Sequence, residues 1–97
     1  MTEPLFLFAQ IRPKPVHFDA AREAIRRIVP ETENEPGCQG FALHENAQDG
    51  CLYLYEEWRD EDALKAHYAQ PYTKAVFAKY ENWLAEPVVI TKMRRLA

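Results

Sequence analysis

The spacing of hydrophobic residues switches repeatedly between two periods along this chain, and these switches constrain the fold more than any other feature. A period of about 3.6 marks one helix from residue 17 to about residue 32 and further helical stretches between residues 60 and 84. A period of two marks four predicted strands, over residues 5–12, 38–45, 51–58 and 88–96. The resulting order, β-α-β-β-α-β, predicts an α+β, ferredoxin-like fold with one four-stranded antiparallel sheet and the helices on one face.

Two prolines, a glycine and an aspartate set the predicted helix boundaries. Pro30 has no amide hydrogen for the helical hydrogen-bond ladder, so we expect a kink or break near residues 28–30 and expect Gly37 to end the segment. Asp60 is placed to cap the second helical region, and Pro71 divides that region into two helices.

The second and third strands form a predicted hairpin around a turn at residues 46–50. Opposed residues should have numbers that sum to about 96, which pairs Cys38 with Trp58 and Cys51 with Glu45. The two cysteines would then lie on the order of 24 Å apart, too far for a disulfide bond. We therefore expect buried free thiols in a reducing compartment.

The strands carry apolar residues on both faces, although the helices can cover only one face. The chain is 47% hydrophobic but has only 97 residues, which we expect to form a single domain over residues 1–97. A domain of this size buries only about 60–65% of its surface on folding. We therefore predict that a second copy covers the other face, sheet against sheet, as a homodimer. One face would carry Leu5, Leu7, Leu52, Leu54, Val88 and Ile90, and the other Phe6, Phe8, Tyr53, Tyr55, Val89 and Met93.

Charge and hydropathy exclude nucleic-acid and membrane proteins. The formal net charge is −3, and the one basic cluster, residues 92–95, lies near the end of the chain. No apolar run approaches the ~18–20 residues of a membrane span, and Glu3 stands where a secretory signal would be basic. We expect a cytoplasmic protein with no nucleic-acid or membrane partner.

The spacing of histidines and glycines predicts neither a metal site nor a nucleotide site. His17, His44 and His67 fall on three different elements, with no pair one helical turn apart. Glycines at positions 37, 40 and 50 cannot form a phosphate-binding loop. We therefore expect no cofactor.

Aromatic residues concentrate in one stretch, because eight of the twelve lie between Tyr53 and Trp83. The same stretch contains His67 on the apolar face of a helix, and alternation directs either Glu56 or Glu57 inward. The aromatic residues and His67 are also consistent with ordinary core packing. The pattern predicts an apolar cavity between sheet and helices that carries a few polar groups.

Several motifs resemble the antibiotic biosynthesis monooxygenase family, including its quinol monooxygenases. They span nearly the whole chain and comprise Ala9–Pro13, Ile28–Pro30, Glu35-Pro36-Gly37-Cys38, Leu54–Trp58, Ala63–His67 and Gln70-Pro71. The resemblance implies a dimeric α+β barrel. It also implies oxidation of an electron-rich phenol or hydroquinone by O2 without a prosthetic group, since a phenolate can pass an electron directly to O2.

The resemblance also implies roles for individual residues. His67 is the expected base, and Glu56 is expected to orient a polar group of the substrate. Trp58, Tyr72 and Phe77 are the expected substrate-binding residues. Because Phe77 occupies the position at which haem-degrading relatives carry their iron-binding histidine, haem breakdown is disfavoured. Two alternatives stay open at this point: a non-catalytic dimer that binds a small aromatic ligand, and an isomerase that acts on a small carbonyl compound.

Overall fold

A computed structural model describes residues 3–97. The prediction about a secretory signal therefore falls partly outside the described residues, because it concerned the segment that begins with Met1 and Thr2. The elements are β1 (Leu5–Ile11), α1 (Phe18–Glu33), β2 (Cys38–Asn46), β3 (Cys51–Trp58), α2 (Glu61–Tyr68), α3 (Pro71–Trp83) and β4 (Val89–Met93), and a short 3-10 helix at Pro15–His17 precedes α1. The strands form one antiparallel sheet in the order β2-β3-β1-β4. The predicted ferredoxin-like fold is confirmed. No helix within residues 3–97 is both long and apolar enough to cross a membrane.

Helix α1 continues through Pro30 to Glu33, so of the predicted kink or break near Pro30 the break is wrong. Pro30 lies on the exposed side of the helix, while Ile25 and Thr32, on either side of it, are fully buried. The Thr32 hydroxyl donates a hydrogen bond of 2.7 Å to the carbonyl of Ile28. Burial of both halves of the helix outweighs the loss of one backbone hydrogen bond at the proline.

Gly37 does not end α1, which stops at Glu33 with Asn34 as its right-handed C-cap. The glycine instead lies against the first turn of α2. A Cβ built on Gly37 would overlap the Cβ of Ala63 and come within 3.4 Å of its Cα. Glycine is needed here for a close approach between two segments.

The hairpin differs from its predicted register by one residue. Cys38 pairs with Trp58 as predicted, but a bulge between Cys38 and Gly40 shifts the pairing, so that Cys51 lies opposite Asn46 rather than Glu45. Both cysteines are free and occupy opposite ends of the hairpin. At the next boundary, the predicted cap is confirmed, since the Asp60 carboxylate accepts a hydrogen bond of 2.8 Å from the amide of Ala63.

The two faces of the sheet differ in what covers them. The face under the helices forms the core, with Leu7, Ile11, Leu52 and Trp58 almost completely buried. The opposite face, which we call the open face, keeps large apolar side chains partly exposed, and these include Phe8, Tyr55, Val89 and Met93. The prediction of apolar residues on both faces is confirmed.

Candidate active site

A small, mostly apolar cavity lies between the helix-covered face of the sheet and the three helices. Its volume is about 30 Å³, which is room for about two water molecules. Its lining residues with polar side-chain groups are Glu56, His67, Tyr68, Thr73 and Tyr80. The remaining lining residues are Ala9, Ile11, Ile25, Ile28, Phe41, Leu54, Val76, Phe77, Val88 and Ile90. Few polar groups in an apolar cavity are typical of a small-molecule site.

His67 is almost completely buried and is fixed from several directions. Its Nδ1 lies 2.9 Å from Oε2 of Glu35 and 3.5 Å from the hydroxyl of Thr73. Its ring packs beside two aromatic rings, with centroid distances of 4.8 Å to Trp58 and 5.5 Å to Phe41. Because Nδ1 is engaged by Glu35, Nε2 is the ring nitrogen left for a ligand.

Glu56 is the acid that faces the cavity, while Glu57 lies on the open face. The Glu56 carboxyl is buried and accepts a single hydrogen bond of 2.9 Å, from the indole N–H of Trp58. Burial raises the pKa of Glu56 to about 7, although the hydrogen bond from Trp58 opposes that shift. The carboxyl can therefore both donate and accept a hydrogen bond near neutral pH.

Two tyrosines that the sequence did not predict as site residues, Tyr68 and Tyr80, also line the cavity. Burial, followed by the nearby charge of Glu56, raises the pKa of Tyr68 to about 12. The same two causes, in the same order, raise the pKa of Tyr80. Both hydroxyls therefore keep their protons and can donate hydrogen bonds to a ligand. Their positions could not be read from spacing, because the helix stripe alone does not distinguish core tyrosines from cavity tyrosines.

The predicted site residues divide into those that line the cavity and those that lie behind it. His67, Glu56 and Phe77 line it, and Phe77 is 38% exposed and makes edge contacts with Tyr68 and Tyr80. Trp58 is completely buried behind the lining, where it contacts both His67 and Glu56. The hydroxyl of Tyr72 donates instead to the carboxylate of Glu35, outside the lining.

Glu35 is the residue of this region that sequence reasoning missed as a site residue. It is 8% exposed, lies between α1 and β2, and contacts His67 across 32 positions of sequence. The available signal was the Glu35-Pro36-Gly37-Cys38 motif, which had contributed only to the family resemblance. A buried carboxylate without a partner would be costly, so the burial of Glu35 requires a polar partner, but that burial cannot be read from the motif.

The other histidines lie away from the cavity. His17 stacks on Trp83 at 6.5 Å between centroids, and His44 lies on the open face of β2. Within residues 3–97, no group of three or more His, Cys, Asp or Glu side chains is arranged to hold a metal ion.

The chain is similar in sequence and structure to proteins of one family. The family model described as Antibiotic biosynthesis monooxygenase matches residues 4–79. The Mycobacterium tuberculosis protein named "Putative monooxygenase Rv0793" is 31% identical over 96 residues, which cover 99% of this chain and 95% of that protein.

Solved structures agree with this likeness. The structure of Rv0793 has a TM-score of 0.92 at 29% identity and covers 98% of this chain and 97% of its own. PA3566 from Pseudomonas aeruginosa has a TM-score of 0.92 at 33% identity, with 100% of this chain and 98% of that chain covered. An antibiotic biosynthesis monooxygenase of known structure is 26% identical, with a TM-score of 0.89, and the match covers 96% of this chain and 99% of that chain. The likeness therefore extends over nearly the whole length of each relative.

Proposed function

Because the chain belongs to the antibiotic biosynthesis monooxygenase family, we propose that it oxidises a small phenol or hydroquinone with O2 and needs no metal or organic cofactor. The observation that carries this proposal is the buried His67, which lines an apolar cavity and has one ring nitrogen available. A phenol needs little more than an apolar cavity, a base and exclusion of water to become reactive toward O2.

The proposed reaction balances without an external reductant. The base removes a phenolic proton from the hydroquinone, and the resulting anion passes an electron to O2. Recombination forms a carbon–oxygen bond, and cleavage of the oxygen–oxygen bond releases water. One oxygen atom then remains in a hydroxyquinone and the other leaves as water, with all four electrons supplied by the organic substrate.

The cavity residues fit separate parts of this reaction. His67 takes the phenolic proton through Nε2, and Glu56 orients the second oxygen of the substrate as a hydrogen-bond donor or acceptor. Tyr68 and Tyr80 donate to the same end of the substrate, since both hydroxyls are close enough to Glu56 for its charge to raise their pKa values.

Substrate entry requires movement at the cavity mouth. A six-membered ring is larger than the present cavity of about 30 Å³. Phe77 is an aromatic lining side chain placed to move, because it is 38% exposed and contacts Tyr68 and Tyr80 only at ring edges. We propose that Phe77 rotates outward and then packs on the bound ring. Trp58 and Tyr72 contribute to substrate positioning through their contacts with Glu56 and Glu35.

The proposed assembly is a homodimer in the cytoplasm, formed through the open face. Phe8, Tyr55, Val89 and Met93 expose between 36% and 54% of their surface there, and a second copy of the same face would bury them. A reducing compartment suits the free thiols of Cys38 and Cys51. Sizing in dilute solution tests the dimer, and a monomer would contradict it.

The function is tested by oxygen consumption with a panel of hydroquinones and anthrone-like phenols, in the presence of a metal chelator. We expect the wild-type protein to consume O2 and the His67→Ala variant to do so at least about tenfold more slowly. His17→Ala is the matched control, because His17 lies away from the cavity. Equal rates in wild type and His67→Ala would contradict the proposal. Stabilisation by aromatic ligands without any turnover would instead support a binding protein.

A further inference from the structure

The motif Glu35-Pro36-Gly37-Cys38 enters the reaction described above only through Tyr72, yet its glutamate contacts the proposed base directly. We propose that Glu35 is a positioning residue that holds His67 as the Nδ1–H tautomer, so that Nε2 faces the cavity as the base, and stabilises the imidazolium formed when that base is protonated. The catalytic part of this proposal rests on the proposed function. The tautomer does not, and it can be tested on its own.

The backbone around Glu35 is built to reach α2. The amide of Glu35 donates to the carbonyl of Thr32, which turns the chain at the end of α1, and the amide of Cys38 donates to the carbonyl of Glu35. The next contact is between Gly37 and Ala63, where a side chain on residue 37 would overlap α2. Ala63 and His67 lie one helical turn apart on the same buried face. Close packing at Gly37 therefore places Glu35 beside the histidine.

The hydrogen bonds at the carboxylate determine the tautomer. Oε2 of Glu35 lies 2.9 Å from Nδ1 of His67 and also accepts a hydrogen bond from the hydroxyl of Tyr72. A carboxylate has no proton to donate, so the proton between Glu35 and Nδ1 belongs to the histidine. Neutral imidazole carries only one ring proton, which leaves Nε2 with a free electron pair.

The surroundings of His67 explain why a counter-charge matters during turnover. His67 is 3% exposed and its ring packs against Trp58 and Phe41, so water has little access to solvate a positive charge on it. Proton transfer from the phenol would create that charge. The carboxylate of Glu35 is the acid in hydrogen-bond contact with the ring, and an isolated buried charge would be strongly unfavourable. Glu35 should consequently affect the proton-transfer step rather than the binding of an aromatic ring.

Tyr72 takes part through Glu35. Its hydroxyl donates to the same carboxylate oxygen as His67, from a position outside the cavity lining. Donation from two groups to one oxygen orients the carboxylate toward the ring nitrogen. Tyr72 therefore belongs to the support of the base, and its side chain needs no contact with the substrate.

The alternative is that Glu35 only accepts a hydrogen bond from a buried histidine and has no part in the chemistry. Three substitutions separate the two cases. Glu35→Gln keeps an oxygen that can accept the Nδ1 proton but removes the charge. Glu35→Met keeps the approximate shape and removes both the acceptor and the charge. Glu33→Gln removes an exposed carboxylate two residues away and serves as the control.

Nitrogen-15 NMR of the His67 ring reports the tautomer without any substrate. We expect the neutral ring to carry its proton on Nδ1 in wild type, Glu33→Gln and Glu35→Gln, and to shift toward the Nε2–H form in Glu35→Met. A wild-type ring protonated on Nε2 would overturn the proposal, as would an unchanged tautomer in Glu35→Met. If Glu35→Met does not fold, the wild-type tautomer and the kinetics of Glu35→Gln decide the matter.

Steady-state oxygen consumption with an active hydroquinone supplies the second readout. We expect kcat to fall at least about tenfold in Glu35→Gln while KM stays within about twofold, because the lost interaction forms only when the proton moves. Glu33→Gln should match wild type. Unchanged kcat in Glu35→Gln, or a fall expressed only in KM, would overturn the counter-charge role. If no hydroquinone is turned over while the tautomer results hold, the proposed function fails and the positioning of His67 stands.

Discussion

Two buried glutamates lie on either side of the contact between Trp58 and His67, and their surroundings differ. Glu35 places one oxygen against a ring nitrogen and a tyrosine hydroxyl. Glu56 accepts one indole N–H, and its burial outweighs that single hydrogen bond, so its pKa rises to about 7. The same side chain thus contacts a histidine and a tyrosine in one place and has a raised pKa in the other, because the groups around it differ.

The largest loss of stability is expected where Gly37 packs against α2, since this contact places Glu35 beside His67. Gly37→Ala would place a Cβ on top of Ala63, between two backbone segments that cannot easily yield. We expect the free energy of unfolding to fall by about 3 kcal/mol, as for overpacking of a rigid interface. Urea unfolding measures this change.

Gly40→Ala is the matched control for that substitution. A Cβ there would meet only the end of the Glu57 side chain, at 3.0 Å, and that side chain can move away. We expect a loss within about 1 kcal/mol. Equal losses in the two variants would mean that the contact between Gly37 and α2 does not constrain the position of Glu35.

The second expected effect concerns the titration of Glu56. Its pKa is about 7 in the folded chain, against an ordinary value of 4.5, so the folded state binds the proton more tightly than the unfolded state. Stability contributed by the protonated carboxyl is complete below about pH 4.5 and is lost as pH rises through 7. The wild-type protein should lose on the order of 2–3 kcal/mol over this window, at up to about 1.4 kcal/mol per pH unit.

Glu56→Gln should remove this dependence, because glutamine stays neutral and still accepts from Trp58. Urea unfolding at pH 5 and pH 8 checks the expectation. Glu57→Gln, on the open face, is the control and should keep the wild-type slope. A wild-type stability that rises between pH 5 and pH 8, and does so equally in Glu56→Gln, would contradict the raised pKa.

The smallest expected effect is at the hydroxyl that supports Glu35. Tyr72→Phe removes one donor from a carboxylate that keeps its contact with His67, and we expect a loss of about 1 kcal/mol. Tyr55→Phe is the control, since the Tyr55 hydroxyl makes only an exposed contact of 3.4 Å with Glu57. Equal stability of Tyr72→Phe and wild type would mean that this hydrogen bond contributes no more to stability than an exposed one does.

The periodic elements were predictable from sequence because they reflect local alternation. The succession of strands and helices, the Asp60 cap and the apolar residues on both sheet faces followed from patterns within a few residues. The prediction of a break at Pro30 was wrong because burial of Thr32 and Ile25 acts on both sides of the proline. The register beyond Cys38 was wrong because one bulged residue leaves no mark in an alternating pattern.

The candidate site was only partly predictable, since it depends on contacts between distant segments. Alternation placed either Glu56 or Glu57 inward, and only the packed sheet distinguishes them. The contact between Glu35 and His67 joins the segment after α1 to the last turn of α2 and has no local signature. The sequence did carry both halves of it, in the motifs around Gly37 and around His67.

Under the proposed function, the cavity beside His67 is a site of oxygen insertion. The most direct measurement is a single-turnover reaction under ¹⁸O2 with one active hydroquinone, in wild type and in His67→Ala. We predict one labelled oxygen atom in the quinone product, the second in water, and a rate at least about tenfold lower in the variant. A product without label, or the same rate of labelling in both proteins, would contradict it.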